Sequence, residues 1–182
     1  MEMFALLVSW LRGLSCPVAN PTSARGLAGS ERSLFEWLRL AASCDLPTRR
    51  VRFTTDGRRF HLAGMQAHQP PIVNGRSLGP ALNGAVPAGP RPVLFAEQVN
   101  AIERVLVIGE TVFGGPKEAA DRLRRFAAAS ESVILEVGMA SSNDHRESVV
   151  CSADPFPEQL TDAEVESLAA WLVTAASRRG PR

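Results

Sequence analysis

The chain has 182 residues, 45% of them hydrophobic and 21% charged, so it is long enough to bury a sizeable core. A formal net charge of +1 excludes a globally basic nucleic-acid surface and a strongly charged membrane-binding face. The cations are nineteen arginines and one lysine, Lys117, which leaves little of the residue most used as a point charge on phosphate.

Cys16, Cys44 and Cys151 are far apart, with no CxxC pair, so they read as reduced thiols rather than a zinc site or a redox dithiol. The apolar run near the start is short, is led by Glu2 and lacks a cleavage pattern. No run approaches the ~20 apolar residues of a membrane span. Cytoplasmic placement is the expectation.

Phe4, Leu7, Val8 and Leu11 recur at helical spacing, which predicts an amphipathic helix over 2–13, ended by Gly13 and Pro17. Ser33 and Glu36 form a capping-box pattern for a helix running to Ser43. VRFTT and RRFHLAG then read as two strands around an Asp56-Gly57 turn. Residues 66–92 hold six prolines and four glycines without periodicity and are expected to be a flexible loop.

VLFAEQV reads as a strand, and ERVLVI and TVFG as a hairpin across Gly109-Glu110. A helix over 117–129 and two strands, SVILEVG and SVVCSA, follow. Thr161 and Glu164 make a second capping-box pattern. Behind it, Val165, Leu168, Ala169, Leu172, Val173 and Ala176 form an apolar stripe on the last helix. This order predicts one α+β domain over 1–182, with a mostly antiparallel sheet and packed helices.

GRSLG (Gly75–Gly79) matches G-x-S-x-G, but it lacks the strand-elbow-helix context that the motif needs. His61, His68 and His145 are scattered. Arg49, Arg50, Arg52, Arg58 and Arg59 form a local basic patch suited to phosphate or an acidic peptide. The absence of tyrosine argues against a nucleic-acid stacking surface.

Several segments in order resemble the ATP-grasp superfamily, in its branch that modifies ribosomally made peptides. They are EMFALLVSWLRGL leading to PVANPTSA, then AASCDLPTRRVRFTTD, then FAEQVNAIERVLVIGETVFGG, and finally CSADPFP. The resemblance implies an ATP-grasp-like fold lacking the N-terminal subdomain, and ATP-dependent joining of a carboxylate to an amine with Mg2+.

It places Glu97 at the adenosine hinge and Arg104 at the phosphate-facing, catalytic arginine. The nucleotide lysines fall at Arg32 and near His61. The magnesium carboxylates fall near Asn143 (or Asp144, if the alignment slips by one), at Ser152 and at Asp154, so the pattern keeps one of three acids. The expectation is a catalytically degenerate, accessory protein that binds a peptide or protein partner, with the arginine patch receiving the peptide. An active divergent ligase is the alternative. A third reading is an assembly module whose first helix forms a homo-oligomer interface.

Overall fold

The structure, a computed structural model, describes residues 6–7, 9–10, 18–20, 32–55, 64–68, 78, 81–82, 92–141 and 147–178. Leu6, Leu7, Ser9 and Trp10 are helical, and Leu6 and Trp10 are exposed. Helix α1 is Leu34–Ser43. Strands β1 (Val51–Thr54), β2 (Met65–His68), β3 (Val93–Glu97), β4 (Glu103–Ile108) and β5 (Thr111–Phe113) follow. A 3-10 turn, Lys117–Ala119, leads into α2 (Ala120–Ala129), then β6 (Ile134–Ala140), β7 (Val149–Asp154) and α3 (Asp162–Arg178).

Strand order is β1-β3-β2 in one sheet and β5-β4-β6-β7 in the other. By contacts the chain divides into two compact units, residues 1–31, 104–137 and 154–182 in one and 32–103 with 138–153 in the other.

In the discontinuous first unit the hairpin forms as its sequence dictates. Leu106 pairs with Phe113, Val107 with Val112 and Ile108 with Thr111. Gly109 opens the two-residue turn at φ +55°, a conformation that glycine adopts without strain. Trp171 lies so close that a Cβ on Gly109 would stand 2.8 Å from its Cδ1. Val105 to Ile108, Leu123, Phe126, Leu135 and Val137 are buried and make this unit's core.

Thr161 and Glu164 do form the expected capping box, with Thr161 N donating to Glu164 Oε2 at 2.8 Å. The expected apolar stripe of α3 is packed only in part, with Leu168 and Leu172 half-buried. Val165, Ala169, Val173 and Ala176 are exposed, whereas Glu164 is buried and Leu168, Trp171 and Ala175 are half-buried. Helical periodicity fixes which residues share a face and leaves open which face meets the core.

In the second unit Ser33 Oγ accepts from Glu36 N at 3.3 Å and Glu36 Oε2 accepts from Ser33 N at 2.8 Å, a complete capping box for α1. Leu34, Trp37, Leu38 and Ala41 bury one face of that helix. The β1 strand pairs antiparallel with β3, Val51 opposite Ala96, instead of serving a local hairpin within the described residues. β3 also pairs with β2, and all of its residues are buried. A strand covered on both edges and both faces takes the continuous apolar run Val-Leu-Phe-Ala.

The segment expected to be a loop from residue 66 begins inside β2, and His68 makes an antiparallel bridge with Ala81. The Asp56-Gly57 turn and the RRFHL strand lie outside the described residues.

Candidate functional site

Arg104 is the centre of a charge cluster in the first unit. Its Nε donates to Glu136 Oε2 at 2.8 Å. Its Nη1 donates to Glu164 Oε1 at 2.7 Å, and Nη2 reaches Glu164 Oε2 at 3.3 Å and Gln159 O at 2.9 Å. The planar guanidinium thus grips one carboxylate with both terminal amino groups and the other with Nε, a geometry that lysine does not offer. Hydrogen bonds to Glu164 and then Glu136 raise the arginine's pKa. Burial pushes the Glu164 carboxyl up, but bonds from Arg104 and Thr161 outweigh it, and the carboxyl sits below its ordinary value.

A second feature follows from strand register. Gly138 lies against Ser152, and a Cβ there would collide with Ser152 Oγ. The connection 141–148 is too short for a parallel crossover, so β6 and β7 run antiparallel. Two further residues along each strand bring Asp154 opposite Glu136. The burial alternation agrees: 134, 136, 152 and 154 are the half-buried positions of the two strands. Asp154 Oδ1 also accepts from Phe156 N at 2.8 Å, turning the chain after β7.

Glu97, at the end of β3, belongs to the other unit and is buried. Its Oε2 accepts from Arg50 N at 3.1 Å and lies 3.5 Å from Arg50 Nε, and its carbonyl accepts from Arg49 Nε at 2.7 Å. Arg32 stacks over Trp37, 5.6 Å from the ring centroid. Of the expected peptide patch, Arg49 is buried, Arg50 pairs with Glu97 and Arg52 is exposed. The patch is therefore not a uniform solvated face. His61, Asn143, Asp144, Arg58 and Arg59 lie outside the described residues.

Sequence reasoning missed Glu136 and Glu164. They stand 32 and 60 residues from Arg104, and only strand neighbourhood and the capping box bring them to it. The acid three places after Thr161 was legible as a cap, but its grip on a distant arginine was not.

The candidate nucleotide set is a poor fit to a triphosphate as it stands. Arg104, the arginine expected to face phosphate, is bonded to two carboxylates and a carbonyl. Among the described residues no group of three or more His, Cys, Asp or Glu side chains could hold a metal ion. Glu136 and Asp154 are the pair that could share one.

No family model matches the chain, and a search of curated proteins finds no match. Solved structures do match. The ATP-grasp ligase PsnB, complexed with precursor peptide PsnA2 and AMPPNP, superposes with a TM-score of 0.71 at 19% identity, over 97% of this chain and 70% of that one. The macrocyclase MdnC from Microcystis aeruginosa MRC, bound with precursor peptide MdnA, gives 0.67 at 13% identity, over 95% and 69%. A Chryseobacterium gregarium RiPP-associated ATP-grasp ligase, in complex with ADP and a leader and core peptide, gives 0.63 at 14% identity, over 100% and 70%. Likeness at such identities is a likeness of backbone, and it agrees with the two antiparallel sheets and the packed helices. The chain has the ATP-grasp fold.

Proposed function

We propose that this chain is a catalytically degenerate ATP-grasp-like protein that acts as an accessory, peptide-binding partner in peptide modification. The observation that carries the reading is the commitment of Arg104. A phosphate-facing arginine must offer its donors to the nucleotide. Here four hydrogen bonds hold it to Glu136, Glu164 and Gln159. A triphosphate would have to displace two anions from this arginine, with like-charge repulsion added.

Support for the peptide half comes from the neighbours, several of which are complexed with precursor peptides. Calorimetry with ATP and a non-hydrolysable analogue, with and without magnesium, tests the proposal. No magnesium-dependent binding is expected up to about 1 mM nucleotide. Magnesium-dependent ATP turnover that is lost in Asp154→Ala would overturn it.

A second reading, an active divergent ligase, draws on the juxtaposition of Glu136 and Asp154. Two carboxylates across neighbouring strands beside an arginine could share a magnesium ion and its phosphate. In that case the metal would draw Glu136 away from Arg104. Saturable nucleotide binding that weakens both in Arg104→Ala and in Glu136→Gln would favour it.

A further inference from the structure

Arg49 is positioned by its backbone before its side chain does anything. Thr48 makes a parallel bridge with Val150, and Arg49 N donates to Val150 O at 2.9 Å. The side chain is then buried, with the residue only 7% exposed. Its Nε donates to Glu97 O at 2.7 Å, whereas its terminal amino groups, Nη1 and Nη2, have no acceptor among the described residues. Burial lowers the pKa of the guanidinium, opposed by the charges of Cys151 and Glu97.

Neither neighbour fully answers the charge. Burial pushes the Cys151 thiol up to about 11, so at neutral pH it carries none. The Glu97 carboxylate is turned to Arg50, whose backbone N–H and Nε it meets. The two terminal amino groups are not sealed in the interior and are left to face the cleft, where an anion can reach them.

Arg49 lines a cleft of about 370 Å³, and the described residues beside it there are Gln66, Gln98, Val99 and Asn100. Its described lining is almost wholly polar, with carboxamides at Gln66, Gln98 and Asn100. The wall is held in place: Gln98 N donates to Gly64 O at 2.9 Å and Asn100 N to Ser141 O at 3.2 Å. Carboxamides donate and accept without adding charge.

We infer that this cleft is a carboxylate-binding subsite, with the Arg49 fork gripping both oxygens and Gln66, Gln98 and Asn100 bonding the groups beside them. Among the described residues of the lining, one cation stands among neutral amides and matches one negative charge. A phosphate dianion would leave an excess, and a neutral ligand would leave the guanidinium uncompensated. The carboxylate can come from an acidic peptide or from a free small acid. The peptide source rests on the accessory, peptide-binding reading proposed above, and the subsite itself rests on Arg49.

The test titrates the full chain calorimetrically with three probes: an acetylated, amidated pentapeptide with one central glutamate, its glutamine counterpart, and sodium glutarate. The glutamate peptide is expected to bind and the glutamine peptide not. Arg49→Gln should weaken binding about tenfold or more, and Gln66→Leu and Gln98→Leu about threefold each. Should Arg49→Gln fail to fold by near-UV circular dichroism, the two glutamine variants carry the test. Glutarate binding as tightly as the peptide upholds the subsite and removes its peptide source. Equal binding of both peptides, or no binding of either carboxylate, overturns the inference. So does binding that is indifferent to Gln66→Leu and Gln98→Leu. None of these outcomes depends on whether ATP is bound, so they separate from a failure of the degenerate reading.

Discussion

Replacing Arg104 with methionine keeps the aliphatic stem and removes the fork. Glu164 loses two donors and keeps only Thr161 N at its carboxylate, with its side chain 5% exposed. Breaking a fully buried pair costs about 3–5 kcal/mol. The Arg104 side chain is 37% exposed and that of Glu136 32%, so water replaces part of what is lost. A net destabilisation of about 2 kcal/mol is expected, most of it from Glu164. Glu136→Gln should cost only about 0.5 kcal/mol.

Urea unfolding followed by far-UV circular dichroism measures both, and the Arg104 variant should melt about 4–8 °C lower. Acid provides a second arm. The folded-state pKa of Glu164 is lowered, so its contribution is complete above the ordinary glutamate value of about 4.3 and is lost as pH falls through the lowered one. Wild type and Arg104→Met should therefore converge in acid. An Arg104→Met protein within about 0.5 kcal/mol of wild type at neutral pH would refute the structural role assigned to this arginine.

Gly109→Ala should destabilise by about 1–3 kcal/mol, because a left-handed φ and the Trp171 indole both oppose a Cβ; a compensating Trp171→Leu should recover part of the loss in the same unfolding assay. Cys44 and Cys151 are both buried and Cys151 has a thiol pKa of about 11, so peptide mapping after iodoacetamide treatment at pH 8 should find both unlabelled in the native protein and labelled in urea. Trp37 is fully buried on α1, and Trp37→Ala should cost about 3–5 kcal/mol by denaturant titration.

The local features of this fold could be read from the chain. Ser33 with Glu36, Thr161 with Glu164, and Gly109 at the head of a two-residue turn each declare themselves within a few residues. Non-local pairing could not be read in the same way. The partner of β1 is β3, more than forty residues later in register, because β3 is apolar on both faces and needs two neighbours. The Arg104 site was half legible. The resemblance gave the arginine, but not the acids that satisfy it, since the pairing of β4 with β6 and the docking of α3's first turn on Arg104 are set by packing. The stripe on α3 misled for the same reason: Val165 and Val173 are half exposed or more, while the acid Glu164 faces inward to meet Arg104.

Asn20 gives the first unit a schedule. Its Nδ2 donates to Ile134 O at 3.0 Å and to Pro155 O at 2.7 Å, and its Oδ1 accepts from Val133 N at 2.8 Å and Ile134 N at 3.0 Å. One carboxamide thus ties the start of the chain to residues up to 135 positions later. A ribosome adding about 5–20 residues per second needs roughly 7 to 27 seconds to supply that last carbonyl. Through that interval Asn20 waits unpaired, and the other unit waits almost as long, since its residues 32–103 are joined by residues 138–153. The protein's two units are therefore both completed late in synthesis, although both begin early in the sequence.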